Sequence, residues 1–259
     1  MRAQTIFFIF FFTSVAGLSQ PAMPFLNGDN KILFERIEKK QTEFLDSVFI
    51  SRTGIAREII NGRDYIQFYF RSQFNPILRF NETRSASVIF NGRRFEHIVL
   101  QYDTYTDQLI YTDNTLIFKD KVCQVALNND NISSFSLFFG HDTLTFRYLR
   151  KDQDQGFNLK DGYYEVLSDG ECKYIIKHVS THYILNGKDE YSYSPASYVF
   201  IGNEYVQLGS KKKFIRLFGD LSDEIKHFIK IKKIKFHQAD KMQITDILKF
   251  YESLETQIR

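Results

Sequence analysis

The sequence predicts an α+β protein that is mainly β: an antiparallel β-meander, sandwich or open barrel with C-terminal helices packed on it. Three observations predict it. Turn dipeptides recur at Asn61-Gly62, Asn91-Gly92, Asp161-Gly162, Asp169-Gly170, Asn186-Gly187 and Gly202-Asn203, and these residue types tolerate the positive φ of tight hairpins. Between them lie short β-branched and aromatic runs, too closely spaced for the crossover helices of βαβ units. After Gly209 the hydrophobic period lengthens to that of a helix.

From the N-terminus, the first expected element is an export signal. Ile6 to Val15 are almost wholly apolar behind Arg2, and small residues precede a cut after Ser19, so residues 1–19 read as a signal peptide. The run is well short of the roughly 20 residues that span a bilayer. A short helix is expected near residues 30–46, where Leu33, Ile37, Phe44 and Leu45 fall. The β-rich body then extends to residue 210. Ser87–Phe90 and Phe95–Leu100 flank Asn91-Gly92 as a hairpin. The same alternation continues at Gln108–Thr112, Leu116–Phe118, Val122–Leu127, Ser134–Phe139, Thr143–Leu149, Tyr163–Leu167, Lys173–Val179, Tyr198–Ile201 and Tyr205–Leu208.

Beyond the body, Lys211–Phe218 suggests a short helix. Leu221, Ile225, Phe228 and Ile229 share one helical face, and Ile244, Ile247, Leu248, Tyr251 and Leu254 share another, with Asp240 and Gln243 spaced as a capping box. A segment of about 49 residues has a thin core of its own, so residues 211–259 are expected to pack on the body within one domain.

Composition narrows the function classes. A chain that is 43% hydrophobic and 16% aromatic, with 27 Phe, 15 Tyr and only 4 Pro, is a folded protein and neither disordered nor collagenous. Its 34 bases and 31 acids nearly cancel, but unevenly: residues 211–259 carry 12 bases and 7 acids, while residues 20–210 carry 21 and 24. Lys226, Lys230 and Lys233 fall on one face of the helical segment, opposite Ile225 and Ile229, and form a basic contact face. A solvated helix surface is the first reading of that face, and contact with anionic lipid or cell-wall polymer is the second. Nucleic acid is not an expected partner of an exported chain this close to neutrality.

Catalytic signatures are missing from the sequence: no Gly-x-Ser-x-Gly elbow, phosphate loop or dinucleotide fingerprint occurs. No catalytic residue is assigned and no cofactor is expected. His178 and His182 are four apart, but on a predicted strand they need not converge, so no metal site is expected either. The most concentrated polar-aromatic segment is Tyr102-Asp103-Thr104-Tyr105-Thr106-Asp107. Tyr102, Asp103, Tyr105 and Asp107 are therefore candidate ligand-binding residues: carboxylates four apart can hold a cation, act as an acid and base, or grip a sugar beside the rings. The competing and leading reading is a turn whose Asp side chains bond nearby amides. Cys123 and Cys172 are a candidate disulfide in an oxidising compartment, or free thiols packed as small hydrophobes.

Two stretches carry a resemblance. Asn91-Gly92-Arg93-Arg94-Phe95 leads into Leu100-Gln101-Tyr102-Asp103-Thr104-Tyr105-Thr106-Asp107-Gln108-Leu109, and the tail runs from Lys211-Lys212-Lys213-Phe214 through Ile225-Lys226 and Ile229-Lys230 to Phe250-Tyr251. Together they resemble a group of uncharacterised exported proteins of Bacteroidetes, with a signal peptide, a β-rich middle and a Lys-rich helical C-terminus. The resemblance covers most of the chain and implies a location: periplasm, outer-membrane periphery or outside the cell. It transfers no activity. The expected function is a non-enzymatic binding or cell-envelope-associated module, with an envelope polymer, an anionic membrane surface or another envelope protein as partner. The alternative is a hydrolase of envelope or extracellular polymers that uses Asp103 and Asp107.

Overall fold

The structure, a computed structural model, describes residues 36–44, 59, 62–66, 75–80, 85–118, 121–154, 156, 158–236 and 240–258, with backbone alone at 113–118, 121–123 and 258. The expected signal peptide at 1–19 lies outside the described residues. Residues 36–44 form a helix, α1, with every side chain exposed, inside an N-terminal unit of residues 1–48. It falls within the expected 30–46.

The second unit, residues 49–259, is mainly antiparallel β. Its strands are β1 (Gly62–Asp64), β2 (Ser85–Phe90), β3 (Arg93–Ile98), β4 (Leu100–Asp103), β5 (Gln108–Phe118), β6 (Lys121–Leu127) and β7 (Ile132–Phe139). They continue as β8 (Asp142–Leu149), β9 (Gly162–Asp169), β10 (Lys173–Lys177), β11 (Ser180–Leu185), β12 (Lys188–Tyr193), β13 (Ala196–Ile201) and β14 (Glu204–Gln207). Three helices close the chain: α2 (Lys211–Arg216), α3 (Ser222–Ile231) and α4 (Lys241–Ile258). The large sheet has eight strands in the order β14-β13-β10-β9-β8-β7-β2-β3, the smaller has four in the order β1-β6-β5-β4, and β11-β12 stands as a separate hairpin. The sheets are open, with C-terminal helices beside them.

One strand path joins the two larger sheets. In β3 the register against β2 shifts between Val88↔Phe95 and Ala86↔Ile98, and His97 takes φ 57. Such a bulge adds a residue and bends the strand; one residue later the chain enters β4 of the other sheet. The excursion β3-β4-β5-β6 thus lies between β2 and β7, which are neighbours in the large sheet.

Alternation along the strands places two cores on one face of the large sheet. Tyr163 of β9 belongs to a cluster with Val88, Leu100, Tyr102, Leu109, Tyr111, Phe135 and Phe146, shared by the two larger sheets. Leu167, four residues along the same face, packs with Tyr174, Ile176, Val199, Phe214, Ile225, Ile229 and Ile247 under the helices. Tyr164, between them and on the opposite face, joins Leu149, Ile175 and Tyr205.

The helix ends follow their sequence. Asp240 accepts from the Gln243 amide at 2.8 Å and donates its own N–H to Gln243 Oε1 at 3.3 Å, the expected capping box of α4. At the end of α3 the Ile234 amide donates to Ile229 O at 3.0 Å while Lys233 sits at φ 53, a helix terminus that usually takes glycine. The structure differs from expectation in several strand regions: β1 starts at Gly62, where the Asn61-Gly62 turn was expected, and β4 runs on to Asp103, past the expected strand end at Leu100. β5 is one 11-residue strand whose pairing shifts between Asp113 and Ile117, where two strands were expected. β11 and β12 were not expected; Asn186 and Gly187 at φ 51 and 72 make their turn, but Tyr183, Ile184 and Leu185 are all exposed, so no alternation marks the strand.

Candidate functional site

The segment Tyr102–Asp107 is the connection between β4 and β5, and its four candidate side chains face different surroundings. Asp103 is 1% exposed. Its Oδ1 accepts from the amides of Tyr105 at 2.8 Å and Thr106 at 3.2 Å, and its Oδ2 accepts from the Tyr65 hydroxyl at 2.8 Å. This is the turn arrangement, with both oxygens engaged. Tyr105 is exposed and its ring packs edge-on to Tyr191 at 5.4 Å.

Asp107, at φ 56, turns the other way. Its Oδ1 accepts from the Tyr102 hydroxyl at 2.5 Å and its Oδ2 from Lys177 Nζ at 2.7 Å; Lys177 also donates to Tyr163 O at 3.0 Å. Burial, then the Asp107 charge, holds the Tyr102 hydroxyl well above the usual tyrosine range. Burial also lowers the Lys177 ammonium pKa, with Asp107 opposing. Gly162 makes the approach of this pair feasible: a Cβ there would lie 2.3 Å from Asp107 Oδ2 and 2.5 Å from Lys177 Nζ, at φ +150. The two carboxylates that a hydrolase would use are therefore each committed to protein donors.

A second ionic cluster lies where the two cores meet. Glu165 of β9 pairs with Phe146 of β8 on one side and Ile176 of β10 on the other. Its side chain is 1% exposed; Lys241, the first residue of α4, donates to Oε1 at 2.5 Å and Oε2 at 2.7 Å, and His178 Nε2 lies 2.7 Å from Oε2. His178 Nδ1 hydrogen-bonds the Tyr193 hydroxyl. Burial would raise the Glu165 carboxyl, but hydrogen bonds from His178 and Lys241 outweigh it and hold it below the usual range. Burial, followed by the Glu165 charge, pushes the Tyr193 hydroxyl up to about 12. The sequence offered no signal for this cluster, because its partners are 13 and 76 residues apart. His178 and His182 take separate partners, the latter Asp189 at 2.7 Å.

The third arrangement is a groove of about 920 Å³ between α2 and α3. Lys226 and Lys230 of α3 and Lys233, just past its end, line it together with Lys211, Lys212 and Arg216 of α2, which were not expected in a contact face; the basic face was expected opposite Ile229, but Ile229 shares the lining, because the helix ends before Lys233. Ile215, Ile229 and Ile234 are its buried floor, and among the described residues no carboxylate lines it. Lys226 Nζ holds Asp223 at 2.6 Å outside the lining. The α2 contribution could have been found from spacing, since Lys211, Lys212 and Arg216 flank Ile215 on a six-residue helix.

Cys172 is a free, buried thiol, which is the second of the two states read from the sequence; the side chain of Cys123 lies outside the described residues. Burial first, then Glu252, Glu255 and Glu171, push the Cys172 thiol up to about 12. No group of three or more metal-ligating side chains occurs among the described residues, and no helix among them is long and apolar enough to cross a membrane. No protein-family model matches this chain, no curated protein matches its sequence and no solved structure matches its fold.

Proposed function

We propose that this protein is a non-enzymatic, cell-envelope-associated binding module that engages anionic lipid through the α2–α3 groove. The lining of that groove carries the reading: among the described residues, six cationic side chains and no acid ring its isoleucine floor. A cationic rim suits a phosphate headgroup. Ile215, Ile229 and Ile234 already pack in the helical core, so the rim carries the contact, and competition between vesicles and a soluble anionic polymer separates lipid from wall polymer. The apolar run at residues 6–15 and the resemblance to exported Bacteroidetes proteins support an envelope setting. The engagement of Asp103 and Asp107 by protein donors favours binding over hydrolysis.

Vesicle flotation tests the reading. The chain is expected to float with vesicles containing phosphatidylglycerol and not with phosphatidylcholine alone, with weaker binding at higher salt. Each basic residue near an anionic surface contributes about 1 kcal/mol, so replacing Lys226, Lys230 and Lys233 by Ala should weaken binding on the order of 100-fold. Equal binding to neutral vesicles, or full binding by the triple variant, would overturn the proposal. Displacement by a soluble anionic polysaccharide would transfer the groove to wall polymer.

A further inference from the structure

The chain leaves β10 at Lys177 and enters β13 at Ala196, the residue paired with it, and the β11–β12 hairpin projects between them from that end of the large sheet. The base of the hairpin is held on the body. The Ser180 amide donates to Thr104 O at 3.1 Å, the Ser180 and Thr104 hydroxyls lie 2.7 Å apart, and Tyr191 is buried with Ile77 and Ile110. The far end is not covered: Ile184 is 70% and Leu185 53% exposed, with Tyr183 exposed beside them. Consecutive strand residues point to opposite faces, so both faces of the ribbon end in an apolar side chain. A protein docked on a ribbon covers one face of it, whereas a fluid acyl phase covers both. The basic groove begins at this same end of the sheet. β14 runs from Glu204, opposite Ile201, to Gln207, opposite Tyr198; the Leu208 amide then donates to Ser197 O at 2.8 Å, and α2 opens with Lys211 and Lys212 of the groove.

We propose that the hairpin tip, Tyr183 to Lys188, inserts into the headgroup and upper acyl layer of the membrane that the basic groove engages, an inference that rests on the lipid reading of that groove. The tip has the composition of an interfacial anchor: a tyrosine, two branched aliphatics and, opposite Leu185, Lys188, whose long stem lets its ammonium reach the phosphates. Asp189, the acid next to Lys188, is held by His182 Nε2 at 2.7 Å, and Glu190 is buried. The strand from Tyr183 to Leu185 spans about 10 Å, the depth that interfacial elements reach. Asn186 and Gly187 turn the chain at φ 51 and 72, and their amides need water or headgroup partners, which holds the tip at the interface and short of the bilayer centre. Rim and tip divide the work: the lysines attract the surface and are screened by salt, while the aliphatic contact is not.

The sequence contains no Trp, so a single introduced tryptophan reports its own position. Leu185→Trp places it at the tip, and Phe138→Trp places it beside the β7–β8 turn, at the opposite end of the large sheet. On vesicles of phosphatidylglycerol and phosphatidylcholine, the emission of Leu185→Trp is expected to shift to the blue and to be quenched by lipid brominated on the upper acyl carbons, while that of Phe138→Trp stays unchanged. Ile184→Ser with Leu185→Ser should weaken vesicle binding about tenfold and leave its salt dependence in place. Flotation of the parent without quenching at position 185, or undiminished binding by the double variant, overturns the insertion and leaves the groove reading standing. A parent that does not float on anionic vesicles overturns both. A parent that sediments as a dimer, and as a monomer once both residues are Ser, assigns the tip to a second copy and likewise overturns the insertion.

Discussion

On one face of the eight-stranded sheet, the β2-β7-β8 end is covered by the four-stranded sheet and the β10-β13 end by helices. The first core is built from rings: Phe135 and Phe146 stack with centroids 4.6 Å apart, and Tyr102 meets Tyr163 edge-on at 6.0 Å. The second also packs rings, with Phe214 edge-on to Phe218 at 5.0 Å, around branched aliphatics, Val199, Ile225, Ile229, Ile247 and Leu248. Between the two lies the ionized Glu165 with His178 and Lys241. The cores are therefore neighbours joined by polar bonds at their boundary, and each is expected to respond to damage by itself.

The largest effects should come from the cores. Phe135→Ala is expected to cost about 4 kcal/mol and Ile247→Ala about 3 kcal/mol by denaturant unfolding. Native-state hydrogen exchange distinguishes them: Ile247→Ala should speed exchange in α2 to α4 while β2 and β7 keep their protection. Equal loss of protection in both regions would merge the two cores into one.

At the boundary, Glu165→Gln should cost about 3 kcal/mol, because it removes one charge of a buried ionic cluster. The folded pKa of Glu165 lies below its unfolded value of about 4.3. Its stabilising contribution is thus complete above that value and is lost as pH falls through the folded pKa. Acid titration of unfolding free energy should show this loss in the parent and a flatter limb in Glu165→Gln.

Within the aromatic core's rim, Gly162→Ala should cost about 2 kcal/mol, since its Cβ would displace the Asp107–Lys177 pair and the backbone sits at positive φ. The smallest effect is a gain. Lys233→Gly should stabilise by about 0.5 kcal/mol by relieving the left-handed helix terminus, while weakening flotation on anionic vesicles. A loss of stability would show that Lys233 contributes packing that its exposed position does not suggest.

Much of this architecture was legible because it is local. Asn91-Gly92 and Gly202-Asn203 turn where their chemistry requires, the alternation in β7 and β8 is that of half-buried strands, and Asp240 with Gln243 caps α4. Lys226 and Lys230 of the basic face were legible from helical spacing; Lys233, past the end of α3, and the α2 side were not. Long-range contacts were not legible: Lys241 reaches Glu165 across 76 residues, and nothing in either residue's neighbourhood announces a buried pair. Asp103 shows a different limit. A carboxylate beside tyrosines reads equally as a ligand site or as a turn, and only the directions of the Tyr105, Thr106 and Tyr65 donors decide which bonds it makes.

The excursion between β2 and β7 has a kinetic consequence. β7-β8, β8-β9 and β9-β10 join strands consecutive in the chain, whereas β2 and β7 are separated by about 40 residues whose closure entropy grows with length. That stretch is not slack: β4, β5 and β6 form their own meander from it, which brings its ends together before the large sheet is complete. Assembly is then expected to proceed as two local meanders that dock, with β2 and β3 zipping on last, and pulse-labelled exchange should find β7 to β10 protected ahead of β2. Topology of this kind turns one slow distant pairing into an encounter of two preformed pieces.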